Sequence, residues 1–94
     1  MARHETVQVP AGEWVELTDS DVSHARIQGA VDAVVYLQAT SGATPTSRSG
    51  AIAMAPFGII PSSVYFTDLF MGVDDPRRLF AWCSTATEVS ISHY

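Results

Sequence analysis

The chain has 94 residues, 47% of them hydrophobic and only 16% charged, and a formal net charge of −5. That length makes one domain around one core, with a surface poorer in charge than the roughly 25% charged residues of an ordinary soluble domain. Its five basic residues (Arg3, Arg26, Arg48, Arg77 and Arg78) are scattered and none is lysine, which excludes the basic stripe of a nucleic-acid binder and the polybasic patch that holds anionic lipid.

Met1 to Glu5 is polar, with no apolar run behind it, so a secretory leader is not expected there and residues 1–5 read as a possible N-terminal arm. Thr6 to Val9 reads as a first strand with Val7 and Val9 inward, and Pro10-Ala11-Gly12 is turn chemistry. A second strand follows over Glu13 to Leu17, with Trp14 and Glu16 on one face and Val15 and Leu17 on the other. Thr18-Asp19-Ser20-Asp21 makes a polar corner. Ala25 to Gln28 is a third strand, and Gly29-Ala30 turns the chain into a fourth, Ala33 to Ala39, which is apolar on both faces.

Thr40 to Gly50 is small, polar and rich in breakers, so an exposed loop is expected, with a ligand contact through Arg48, its one charged side chain, or through the hydroxyls as the competing reading. Ala51 to Ala55 is a fifth strand. The run from Ala51 to Pro61 is the most apolar of the chain, but Pro56, Gly58 and Pro61 break it and it is too short to span a bilayer. Pro56 to Pro61 reads as irregular, and Ser62 to Phe66 as a short strand. A helical turn near residues 67–71 follows, with Thr67 as its N-cap and Gly72 as its stop. In the tight turn Val73 to Pro76, the proline pushes Asp75 extended.

Arg78 to Tyr94 closes the chain as a β-hairpin. Leu79, Ala81 and Cys83 alternate with Phe80 and Trp82, and after Ser84-Thr85-Ala86 the residues Val89 and Ile91 alternate with polar neighbours. The first arm is apolar on both faces, so its outer face needs cover from a loop of the same chain or from another chain. The whole predicts an all-β fold: one small antiparallel β-sandwich, jelly-roll or immunoglobulin-like, of seven to eight short strands spanning residues 1–94.

No catalytic apparatus is legible. His4, His24 and His93 lack partners at ligand spacing, and Asp19-Ser20-Asp21 lacks the glycine and glutamate of a calcium loop. Asp74 and Asp75 are adjacent and point apart in extended chain, which suits a charged turn beside Arg77 and Arg78 better than a carboxylate pair. The 18 serine and threonine residues sit in no nucleophile elbow or phosphate-cradling loop. The single cysteine, Cys83, has no partner for an internal disulfide and reads as a small buried hydrophobe in a chain folded in a reducing compartment. A non-enzyme without metal or cofactor is expected.

The excess lies in Phe57 to Val73, ten large apolar side chains with Asp68 as the only charge. Part of it is expected to cover an open end of the sandwich. The rest would form a subunit contact, since exposed aromatic and methionine side chains mark such surfaces. The candidate contact residues are Phe57, Ile59, Ile60, Phe70 and Met71, helped by Trp14, Phe80 and Trp82. A sugar- or receptor-binding sandwich is the competing class, with Trp14 or Tyr94 as platform.

The opening VQVPAGEWVELTDSDVSHARIQG resembles the start of small structural proteins of tailed bacteriophages, and DLFMGVDDPRRLFAWCS with VSISHY resembles their closing hairpin. The resemblance covers most of the chain, through β-turn-β patterns that carry no catalytic motif. It implies a virion protein made in the host cytoplasm: a capsid decoration (cement) protein on the outside of the shell, or a tail, neck, head-fibre or spike component. Its partners would be the major capsid protein and other copies of itself, with a trimer as the leading assembly. The chain lacks the repeats and coiled-coil stem of a fibre, which favours a compact clamp.

Overall fold

A computed structural model describes residues 2–30 and 32–94. Eight strands form: β1 (Arg3–Val9), β2 (Val15–Glu16), β3 (Arg26–Gln28), β4 (Val35–Thr40), β5 (Ile52–Met54), β6 (Ile59–Ile60), β7 (Arg78–Trp82) and β8 (Thr87–His93), with one helical turn, α1 (Phe66–Leu69), between β6 and β7. They make two four-stranded antiparallel sheets, β1-β8-β3-β6 and β2-β7-β4-β5.

This order has a simple origin. β4 pairs with β5, β3 with β6, β2 with β7 and β1 with β8, so the chain runs out, turns back at residues 41–51 and pairs with itself along its length. The long double strand is then folded into two layers, in which β3 also meets β8 and β4 meets β7. That is a jelly roll rather than an immunoglobulin-like arrangement. Only the β4–β5 connection joins neighbours within one sheet; every other connection crosses between sheets.

Alternation fills the space between the layers. Val7, Val9, Ile27, Val89 and Ile91 from the first sheet face Leu17, Val35, Leu37, Leu79 and Ala81 from the second, all buried. α1 adds Phe66, fully buried, and Phe70, 5% exposed, and the Phe66 N–H donates to the Ser23 carbonyl at 2.8 Å. Part of the apolar middle segment thus belongs to the core, as expected for a cover at an open end. Cys83 is buried, its thiol 3.4 Å from the Val34 carbonyl oxygen.

Several expectations need correction. The closing stretch is not a hairpin: β7 lies in the second sheet and β8 in the first, and residues 84–86 carry the chain across the sandwich. Both strands face the same core, so their alternation is what a hairpin would show. Arg3, His4 and Glu5, expected as an arm, pair with His93, Ser92 and Ile91 and extend β1; Met1 lies outside the described residues. Ile59 and Ile60, expected irregular, pair with Gln28 and Ile27, while the strand expected over Ser62 to Phe66 is reduced to one bridge between Tyr65 and His24. The helical turn starts at Phe66, with Tyr65 at its N-cap and no side-chain cap, because burial of Phe66 sets its position instead of the Thr67 hydroxyl. Asp75 is not extended but sits at φ +51°, and its carboxylate lies 3.2 Å from Arg77 Nη1.

Candidate interaction surfaces

The eight residues expected to form one contact divide into four groups. Phe70 and Phe80 are buried, at 5% and 2% exposure, and are therefore not available as a contact. Trp82 is half-buried on the outer face of the second sheet, and Trp14, just before β2, is half-buried as well. Phe57 and Ile59 are exposed beside β6, at 67% and 57%, whereas Ile60 turns inward and packs on the core. Met71, just past α1, is 85% exposed.

The outer face of the second sheet carries an aromatic row. Tyr36 stands opposite Trp82, with ring centroids 5.9 Å apart in an edge-on arrangement. Val15 stands opposite Ala81, and Trp14, half-buried, immediately precedes it. The Arg48 guanidinium lies over this row, its carbon 4.3 Å from the centre of the Trp82 ring and 5.1 Å from that of Tyr36. Next along the sheet, Phe80 stands opposite Gln38, whose buried Oε1 has no hydrogen-bond partner among the described residues and would stand 4.0 Å from a Cβ placed on Gly50. The segment from Arg48 to Gly50 therefore rests on the outer face of β4 and β7. Of the two covers the doubly apolar strand allowed, the chain supplies its own.

The outer face of the first sheet is polar. His4 Nδ1 lies 3.0 Å from the Ser92 hydroxyl, and Gln8 Nε2 donates to Glu88 at 2.8 Å. Thr6, Gln28, Asp32, Glu88 and Ser90 line an open trough of about 420 Å³ there. At the edge of this sheet, Phe57 is held in the left-handed region, φ +63°, its N–H donating to the Ala30 carbonyl at 2.9 Å. Tyr65, 46% exposed, packs against His24 with ring centroids 4.8 Å apart. Tyr94 is 91% exposed.

Charges gather at one corner. Arg78 binds Glu16 at 2.8 Å and Asp21 at 2.6 Å; Arg77 reaches Asp21 and Asp75; Arg3 reaches Asp19 at 3.0 Å and also pairs with Glu5. The hydrogen bond from Arg78 holds the Asp21 carboxyl below its ordinary range, and the bonds to Glu16 and Asp21 raise Arg78. Asp19 and Asp21 are thus partnered by arginine. His93 is buried, its Nδ1–H donating to the Tyr94 carbonyl at 2.7 Å while Nε2 accepts from the Asp19 N–H at 3.2 Å. Among the described residues no three histidine, cysteine or acidic side chains converge as a metal set.

Sequence reasoning named Arg48 as a loop charge or a ligand contact and missed its stacking. The signal was available in one respect: a lone cation in a breaker-rich loop beside a strand carrying Trp82. No family model matches this chain, and neither the curated proteins nor the solved structures contain a significant match to it.

Proposed function

We propose that this chain is a non-enzymatic structural component of a tailed-phage particle, a decoration protein that binds the major capsid protein on the outside of the shell. The carrying observation is that apolar side chains face outward in two places of one small domain: Phe57 and Ile59 at the edge of the first sheet, and Val34, 42% exposed, just before β4 of the second. Two such areas suit a module with two kinds of neighbour, the shell and its own copies. The jelly roll is an architecture that viral capsid proteins use repeatedly, and the resemblance of the opening and closing stretches points the same way. Many copies of a modest contact on a symmetric shell would add by avidity.

Quantitative mass spectrometry of purified particles tests this. A ratio to the major capsid protein near one, or a simple symmetry fraction of it, is the expected result. A few copies per particle would instead make the chain a tail, neck or spike part, and absence from particles would refute the virion reading. Sugar binding is the second reading, favoured by the aromatic row beside the hydroxyl-rich loop. A sugar there must displace Arg48, so Arg48→Ala should raise glycan-array signals if this reading holds.

A further inference from the structure

We propose that the edge of the sandwich formed by β5 and β6 is a self-association edge, which pairs with the same edge of a second copy of this chain. β6 is the last strand of the first sheet and β5 the last of the second. The two abut: a Cβ placed on Gly58 would stand 2.6 Å from Met54 Cγ, and one on Gly29 2.8 Å from Met54 Cε. An edge strand presents peptide groups that pair with any extended strand, and proteins commonly guard such edges with charge.

This chain guards one edge with charge, whereas the other has short strands flanked by Pro56 and Pro61 and carries no charge of its own. β1, at the opposite side, carries Arg3, His4 and Glu5, and Arg3 is ion-paired to Asp19. From Ser49 to Thr67, a stretch of 19 residues holding both β5 and β6, there is no Asp, Glu, Lys, Arg or His. On that edge Phe57, Ile59 and Tyr65 are instead 67%, 57% and 46% exposed. With about 150–250 Å² per aromatic side chain, they offer roughly 300 Å² of apolar area. That is the centre of a standard interface of about 800 Å² per partner, with the exposed alanines and prolines nearby left to fill the rim.

Charge selects the occupant. A chain of net charge −5 repels its own copies wherever its acidic surface meets itself, and the bare edge is where two copies meet without that cost. A basic partner would gain nothing there. Pairing of identical edges is isologous, so the product is a two-fold dimer in place of the trimer implied by the resemblance.

Sedimentation equilibrium of the full chain tests the proposal, with circular dichroism to confirm folding. The wild type is expected to dimerise. Ile59→Lys, which installs an edge guard, should raise the dissociation constant by about tenfold or more, equivalent to about 1.4 kcal/mol. Phe57→Asn, which suits the left-handed backbone, should weaken the dimer without touching the core and serves if Ile59→Lys does not fold. Gln8→Lys on β1 should leave dimerisation unchanged. A wild type that stays monomeric overturns the proposal, as does a dimer indifferent to both β6-edge variants or one lost through Gln8→Lys. None of these outcomes depends on whether the chain is found in particles.

Discussion

Arg48→Ala removes the only charged side chain of the 41–51 connection and the stacking that ties it to the second sheet. The guanidinium faces two rings, Trp82 at 4.3 Å and Tyr36 at 5.1 Å, at a site whose aromatic partners are half-buried. A cation–π contact contributes about 0.5–1 kcal/mol when exposed and about 2 kcal/mol when desolvated. Arg48 itself is exposed, so the lower half of that range applies per ring, and the two together are worth about 1–2 kcal/mol. For a domain of this length, each 1 kcal/mol moves the melting temperature by about 4–8 °C. Thermal unfolding followed by tryptophan emission should therefore show a fall of about 4–16 °C, with a shift in the native-state emission as the Trp82 ring loses its cover. Arg48→Lys should fall between the two, since an ammonium keeps the charge but not the planar stacking. An Arg48→Ala protein that melts within a degree or so of wild type, with unchanged emission, would refute the claim that this contact holds the loop on the sheet.

Phe70→Ser should destabilise the monomer by about 3–5 kcal/mol, because Phe70 lies in the core, whereas Met71→Ser should change stability by no more than about 0.5 kcal/mol; paired urea melts measure both. Asp21 is depressed in the folded state by Arg78, so the stability it contributes is present above the ordinary aspartate range and is lost as pH falls below about 4. Urea midpoints between pH 7 and pH 3 should accordingly fall less steeply for Asp21→Asn than for wild type. Gly58→Ala should cost about 1–3 kcal/mol, since its Cβ would meet the Ala55 carbonyl oxygen at 2.8 Å as well as Met54. Gly29→Ala should cost less, because its closest approach is to the free end of the Met54 side chain, which can rotate away.

The existence of most strands was legible because a side-chain period of two survives whichever sheet a strand joins. Val7/Val9, Val35/Leu37 and Val89/Ile91 all face inward as their alternation requires. Pairing was not legible for the same reason. β7 and β8 alternate correctly toward one core from opposite layers, and nothing in Ser84 to Ala86 distinguishes a crossing from a hairpin turn. The apolar middle segment could be counted but not divided. Phe66 and Phe70 go to the core, Ile60 turns inward, and Phe57 and Ile59 go to the surface, a partition set by the pairing of β6 with β3. Phe80 shows the complementary failure: it points away from the core, as alternation predicts, and is buried all the same.

The low charge of the chain acquires a direction once the fold is known. Arg3, Arg77 and Arg78 join Glu5, Glu16, Asp19, Asp21 and Asp75 where the start of β1, the 18–21 corner and the start of β7 come together, and Arg48 is committed to the aromatic row. The charges that are paired thus stabilise the β1–β2 side of the sandwich, and the β5–β6 side is left to backbone and apolar contact. A composition that looks evenly sparse in sequence is polarised in space. The consequence is a sign: added salt screens the repulsion between acidic copies while leaving an uncharged contact intact, so association through the bare edge strengthens with ionic strength. A dimer that weakens as salt is added would refute an uncharged contact and put charge pairs between the two copies instead.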